Sequence, residues 1–318
     1  MERGQGSWRL SAAFAALILA SGPLVSAGGA TAAGGNPFLC KNLEAKRQML
    51  SRQPTARDLN FMLFDAVKDG CSDLIRSLLD SGAAVEARDR FANTPLVLAA
   101  AAGQNEAIEL LLAAGARIDH RNLAGSSPLL RAAMDNQRRA AVLLLERGAD
   151  PNLGNGKNLK PLHAAAYNGN DRLVEALLSH GAEPDALDTT GKAPAVYAAA
   201  RGYVEILDLL MAAGVDPKRR YGNGLTVLMW AAGHSNDTPR KDGVKTVERL
   251  LDLGAEPDAV DDRGWSALMI AAERGHAAPV VHRIGLGADP AIRDNEGRSA
   301  AELAADASLR SRLLSALR

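Results

Sequence analysis

Apolar residues along this chain fall into two short helical registers separated by polar turns, and the pair of registers itself recurs. In DRFANTPLVLAAAAGQNEAIELLLAAGARID (residues 89–119), Leu96, Ala99 and Ala100 line one face, and Ile108, Leu111 and Leu112 line another. Both sets follow the i, i+3, i+4 spacing of a helix. Thr94 stands in an N-cap position ahead of the first register, and Pro95 follows at N1, where its missing N–H is no loss. Gly103 ends the first helix, and Gly115 supplies a left-handed stop to the second. A helix of about nine or ten residues cannot persist by itself in water, so neighbouring units must supply the other wall for each stripe.

The recurrence keeps a fixed period. Gly82, Gly115, Gly148, Gly181, Gly214, Gly254 and Gly287 are 33 residues apart, except for one step of 40. Pro95, Pro128, Pro161 and Pro194 repeat the 33-residue interval, and Val227, Ala267 and Ala300 carry it on with the same single slip of seven. The slip lies in GHSNDTPRKDG (residues 233–243), between Trp230-Ala231-Ala232 of one helix and Val247, Leu250 and Leu251 of the next. The extra residues 235–241 read as a solvated loop lengthening the helix–helix turn, which chains tolerate at small entropic cost. They are either a neutral insertion or a partner-specific contact.

TPLVLAA, SPLLRAA and KPLHAAA, each followed by a Gly-ended second helix, resemble ankyrin repeats, whose signature is a 33-residue period with T-P-L-H-x-A. The resemblance covers residues 59–318. It implies an all-α ankyrin-repeat solenoid of helix-turn-helix-β-hairpin units, with six full repeats beginning near Arg88, Arg121, Gly154, Leu187, Arg220 and Val260. A degenerate unit precedes them and a shortened one follows. Lys160 and Ala193 stand where other repeats carry a capping hydroxyl, so those two helices should start less firmly. Ser299 and Glu302 make a capping box in the last unit. Residues 37–53 fit a capping helix with Leu39, Leu43 and Leu50 on one face, covering Phe61, Leu63 and Phe64 of the degenerate unit. The expected organisation is a signal peptide over 1–33, a capping helix and linker over 34–58, and the repeat domain over 59–318.

Composition narrows the class further. The chain is 47% apolar but only 4% aromatic, a mixture of Ala, Leu and Val that suits closely packed helices. Its 37 basic and 37 acidic residues are interspersed, which argues against the clustered basic excess of a nucleic-acid binder. Arg outnumbers Lys and Ala is abundant, a codon-usage hint of a GC-rich bacterial source. The first residues read as a secretory leader: Arg3 and Arg9 form a positive n-region, and LSAAFAALILASGPLV (10–25) an apolar h-region. VSA ending at Ala27 and ATA ending at Ala32 offer two cleavage sites. Cleavage leaves a periplasmic or secreted protein without membrane insertion, and an uncleaved anchor is the alternative. Cys40 and Cys71 are the two cysteines; in an oxidising compartment they favour a disulfide, against two buried inert thiols.

Enzyme signatures are absent from the sequence. Gly154-x-Gly156 and Gly222-x-Gly224 fall at hairpin positions and read as turn glycines, not a dinucleotide loop. His163 is the motif histidine of its repeat, His276 and His282 are poorly spaced as ligands, and Asp261-Asp262 reads as a solvated turn. No catalytic residue, cofactor or metal is therefore expected. The resemblance instead directs attention to the hairpin tips and the first-helix face, which in such stacks form a partner-binding groove. The candidates are Arg88, Arg90 and Phe91, Arg121 and Leu123, Lys157, Arg220 and Tyr221, and Arg263 and Trp265, with Tyr167 on the helix side. Arg, Tyr and Trp dominate binding hot spots. The alternative is that tip arginines are merely solvated and that Tyr221 or Trp265 packs on a neighbouring hairpin. Tyr197 and Trp230 read as core. The expected function is non-catalytic binding of a periplasmic or secreted client protein by a monomer, with a host-directed effector or a protective partner of an envelope enzyme as alternatives.

Overall fold

Pairs of short helices find their missing support in one another, unit after unit. The structure, a computed structural model, describes residues 36–49, 54–233, 240–275, 287–305 and 307–315, and for 240–242 the backbone alone. The leader expected over 1–33, Leu50, residues 235–239 of the insertion, His276 and His282 lie outside the described residues.

Sixteen helices follow one another among the described residues. Helix α1 (Pro37–Met49) precedes the helix pairs α2 (Ala56–Asp69) and α3 (Ser72–Asp80), α4 (Pro95–Ala102) and α5 (Asn105–Ala113), and α6 (Pro128–Met134) and α7 (Arg138–Glu146). The pairs α8 (Pro161–Asn168) and α9 (Asp171–Ser179), α10 (Pro194–Arg201) and α11 (Val204–Ala212), and α12 (Val227–Ala232) and α13 (Arg240–Asp252) come next. Helix α14 (Ala267–Glu273) opens another unit, and α15 (Ala300–Leu303) with α16 (Ala307–Ser315) closes the series. First helices α2, α4, α6, α8, α10, α12, α14 and α15 each pack on the next, and α3, α5, α7, α9, α11 and α13 form a second row. One continuous core runs between the rows. Leu96, Ala99, Ala100, Ile108 and Leu111 are fully buried in it, as are Leu129, Ala132, Ala133, Ala141 and Leu144 of the next unit. Alanine at the Ala99 and Ala100 positions keeps adjacent first helices close, while each buried Leu or Ile removes enough apolar surface to stabilise the stack by about 1.5–3 kcal/mol.

Helix starts follow the sequence closely. The side chains of Thr94, Ser127, Thr226, Ser266 and Ser299 each accept a backbone N–H three residues on. Lys160 and Ala193 give their helices no such bond. At α8 the deficit is partly met in reverse, because the Lys160 N–H donates to His163 Nδ1 at 3.2 Å. The insertion departs from expectation. Helix α13 begins at Arg240, so residues 240 and 241, expected in a solvated loop, form its first turn instead. Arg240 and Lys241 are good helix formers, which suits them to that turn.

The capping helix also differs in detail. Cys40, Leu43 and Arg47 make the face of α1 that meets the stack. Leu39 is exposed, and Phe61, expected beneath the helix, is 55% exposed, whereas Leu63 and Phe64 are buried. Helix α1 buries no residue completely. It is held by the Cys40–Cys71 disulfide and by the Arg47 guanidinium, which donates to the hydroxyls of Ser77 and Ser81.

Two stability changes follow from these contacts. Joining residues 31 apart in sequence, the disulfide constrains the unfolded chain by about 3–4 kcal/mol in the chain-entropy account. The C40S/C71S variant should show an earlier urea-unfolding midpoint and fast amide exchange across 37–49; an unchanged midpoint would contradict that role. At the first hairpin turn Ala92 sits at φ 56°, where Gly125, Gly191, Gly224, Gly264 and Gly297 stand in five other units and Asn158 (φ 54°) in the sixth. Left-handed backbone strains a β-carbon, so Ala92→Gly should raise stability by roughly 0.5–1 kcal/mol in the same assay.

Candidate partner-binding surface

Seven hairpins link the helix pairs: 88–93, 121–126, 154–159, 187–192, 220–225, 260–265 and 293–298, numbered 1 to 7 here. Six of them are closed by one inward Asp or Asn side chain, six residues ahead of the next first helix. Asp89 accepts the N–H groups of Phe91 and Asn93 (2.8 and 2.9 Å), and Asn155 those of Lys157 and Leu159 (2.9 and 3.1 Å). Asp188 accepts from Thr190 and Lys192, Asp261 from Arg263 and Trp265, and Asp294 from Glu296 and Arg298. Asn122 accepts from the Ser126 N–H. Short Asp and Asn side chains do this because their oxygens reach backbone two and four residues on. Asp261, expected in a solvated turn, is 6% exposed for this reason, and only Asp262 is outward.

Hairpin 5 has Tyr221 in that inward position. Without a short acceptor, its turn keeps only the backbone pairing that the other hairpins share, such as Asp89 N–H to Asn93 O at 3.1 Å: β1 (Arg220–Tyr221) runs antiparallel to β2 (Leu225–Thr226), with Tyr221 opposite Leu225 and a 3-10 turn over Gly222–Gly224. Tyr221 is 5% exposed, and its hydroxyl donates to Asp185 Oδ1 at 2.8 Å. Its expected place on the outer tip is therefore corrected, the cause being that it fills the inward seat. Burial raises the phenol's pKa far above its ordinary value, with the Asp185 bond adding to the shift.

Neighbouring hairpins are joined by backbone bonds. Leu123 N–H donates to Phe91 O (3.0 Å), Gly156 to Ala124 (2.9 Å), Thr189 to Lys157 (3.0 Å), Gly222 to Gly191 (3.1 Å), Asp262 to Asn223 (3.2 Å) and Asn295 to Arg263 (3.0 Å). The ladder spaces the tips at hydrogen-bond contact and makes them one surface. Arg88, Arg90, Phe91, Arg121, Leu123, Lys157 and Arg220 all lie exposed on it. Arg121 is exposed but oriented, since its guanidinium donates to the carbonyls of Gly125 (3.0 Å) and Gly154. The Arg220 guanidinium donates to the Val260 carbonyl in the next hairpin. Arg263 and Trp265 are half-buried: the Arg263 guanidinium lies 4.1 Å from the Trp265 ring centre, and the indole N–H donates to Asp294 at 3.0 Å.

The second carboxylate oxygen of each seat decides the fate of nearby cations. Asp261 Oδ2 takes both Nε and Nη2 of Arg263, and Asp294 Oδ2 takes both of Arg298. Asp89 Oδ2 is occupied by the Asn93 amide (2.9 Å), and Asp188 Oδ2 by the Tyr197 hydroxyl. Asn122 and Asn155 carry no charge to offer. Burial would raise the Asp188 pKa, but the bonds from Tyr197, Thr190 and Lys192 outweigh it and hold the carboxyl below its usual range.

On the first-helix face, Tyr167 is half-buried with Arg201 stacked 4.6 Å from its ring centre, and it meets Tyr197 edge-on at 6.2 Å. Tyr197 is buried, as expected of core, whereas Trp230 lies half-exposed with the Lys192 ammonium 5.4 Å from its ring. The motif reading does not reach the inward Asp/Asn positions; their signal is an Asp or Asn six places ahead of the first helix in six of the units.

No cluster of His, Cys, Asp or Glu suited to a metal occurs among the described residues, and none of the described helices is long and apolar enough to cross a membrane. The architecture is that of a repeat solenoid presenting a laddered surface to other proteins. The chain belongs to the ankyrin-repeat family: models of ankyrin repeats match residues 63–155, 162–240 and 239–284. Its fold is similar to the crystal structure of the human ASB11 ankyrin repeat domain, with a TM-score of 0.64 and 29% identity, covering 70% of this chain and 98% of that one. Comparison with curated proteins finds no match. Ankyrin repeats mark the chain as a protein–protein interaction module.

His163 gives this scaffold a pH dependence. Its Nδ1 accepts the Lys160 N–H, so Nε2 carries the proton toward the Lys192 carbonyl at 3.3 Å, tying adjacent units. Burial lowers its pKa to about 4, against the opposing pull of Asp188. The folded value lies below the ordinary one of about 6.5, so the unfolded chain binds the proton first. Stability is complete above that pH and should fall by about 3 kcal/mol as pH drops toward 4. Urea unfolding of wild type and H163Q at several pH values checks this, the variant losing the slope across that window.

Proposed function

We propose that the chain is an exported, monomeric, non-catalytic adaptor that binds a client protein in the periplasm or secreted space through the groove between its hairpin tips and first helices. The observation that carries this reading is the backbone ladder, which fixes exposed Phe91, Leu123 and several cations as one ordered surface. Exposed apolar side chains on a rigid surface are a liability unless something covers them. Export is supported by the leader-like n- and h-regions and by the Cys40–Cys71 disulfide, a bond that persists in oxidising compartments. Non-catalysis is supported by the internal commitments of the buried titratable groups: Asp188, Asp261 and Asp294 hold turns, and His163 holds a cap.

Fractionation of source cells with N-terminal sequencing tests the location. The expected result is a shortened soluble form beginning after Ala27 or Ala32, and a full-length cytoplasmic form would sink the exported reading. Size-exclusion of the envelope extract tests the binding: a stoichiometric complex with wild type, absent with R88A/F91A/L123A, is expected. Turnover of a substrate panel by the purified protein would overturn the non-catalytic reading.

A further inference from the structure

The hairpin ladder divides into two chemically different stretches. Hairpins 1 to 3 carry Arg88, Arg90, Arg121 and Lys157 on their outer side, all exposed and none paired with a carboxylate among the described residues. None of these cations bonds to a seat: Asn122 and Asn155 are neutral, and Asp89 accepts the N–H groups of Phe91 and Asn93 and the Asn93 amide. Phe91, 53% exposed, and Leu123, 76% exposed, stand between them on hairpins joined at 3.0 Å. Arg90 stacks 4.7 Å from the Phe91 ring centre, and Arg121 is fixed by carbonyls that orient it without neutralising it.

Hairpins 6 and 7 are the opposite case. Arg263 is paired with Asp261, Arg298 with Asp294 and Glu296, and Arg293 with Glu302. Outward Asp262 and Glu296 add further negative charge. That end satisfies its own charges.

We propose that hairpins 1 to 3 are the contact end of the surface, and that they take an acidic segment of a partner protein, carboxylates flanking one apolar side chain. The carboxylates meet Arg88, Arg90, Arg121 and Lys157, while the apolar side chain covers Phe91 and Leu123. Ordered, unpaired cations set electrostatic complementarity, and the apolar pair supplies the desolvated centre that charge alone lacks. Protein is favoured over nucleic acid because the chain is neutral as a whole and because Leu123, 76% exposed, makes no use of a phosphate backbone. This inference rests on the protein-binding reading and narrows it to a place and a chemistry.

Selection of short displayed peptides on the full, oxidised chain tests it, with affinities by fluorescence anisotropy. Enriched peptides should be net acidic with one Leu, Phe or Tyr, and their binding should weaken with added salt. R88E/R90E/R121E/K157E should lose about 30-fold or more in affinity and recover binding to the same peptides with Glu replaced by Lys. F91A/L123A should lose about tenfold while keeping the salt dependence. R220A, on hairpin 5 and outside the proposed contact end, should bind as wild type; circular dichroism and melting show that each variant is folded, its changed side chains being exposed. Enrichment of neutral or basic peptides, or equal binding by the charge-reversed variant, overturns the proposal. So does tighter binding to phosphatidylglycerol vesicles or to a DNA duplex than to the selected peptides. Acidic peptides lost in Y167A/R201A but kept by the charge-reversed variant overturn the place while the protein-binding reading stands. Failure to enrich any peptide, together with no envelope complex, overturns that reading itself.

Discussion

The short inward side chain at six of the seven hairpins is the interaction on which the rest of this structure depends. By accepting backbone N–H groups two and four residues ahead, Asp89 and its counterparts turn the chain and aim the intervening residues outward. The turn then delivers the chain onto Thr94 or its equivalents, which cap the next helix. It also sets the neighbouring hairpins at the spacing that the inter-hairpin bonds require. Helix start, unit spacing and outward surface all trace to one seat. Hairpin 5 shows the turn without it: Tyr221 is too long to accept from its own turn, which rests on the backbone pairing common to all seven and a 3-10 turn, and its hydroxyl reaches back to Asp185.

Packing multiplies this local device. Each unit is too short to be stable, and the alanines at the first-helix contacts let adjacent units share one core. The first of the stacked pairs lacks a neighbour on its outer side. Helix α1 covers it without burying a single residue, which is why a covalent bond and the Arg47 contacts carry what apolar burial does elsewhere. Chemistry at the end of the stack therefore differs in kind from chemistry within it.

The repeat, its caps and its stops were legible because each follows from local rules: hydroxyl or proline at a start, glycine past an end, apolar stripes at helical spacing. The candidate surface was legible only in part. Outward and inward positions alternate within a hairpin, and residue type alone does not tell them apart, so Tyr221 was placed outside with Arg220. Counting back from each motif proline would have aligned Tyr221 with Asp89, Asn122, Asn155, Asp188, Asp261 and Asp294, and so turned it inward. The helical start of α13 was missed for another reason: a polar composition reads as loop even where good helix formers such as Arg240 and Lys241 stand in it. Leu39 was misplaced because α1 meets the stack through a narrow face, Cys40, Leu43 and Arg47, and sequence spacing allows several such faces.

Stability and recognition reside on alternating residues of the same hairpins, and the seat, Asp or Asn, couples them. Both residues make the turn, since only an oxygen is required. They differ in the charge left over. A seat carboxylate with a spare oxygen draws a nearby arginine into the scaffold, as Asp261 draws Arg263 and Asp294 draws Arg298. Arg88 and Arg121 stand one place before their seats instead, and neither bonds to one; Arg121 turns to the carbonyls of Gly125 and Gly154. An arginine two or four places past a seat carboxylate is thus a structural group, and one just before the seat stays an open cation at hairpins 1 and 2. Position within the hairpin decides which of the two it becomes.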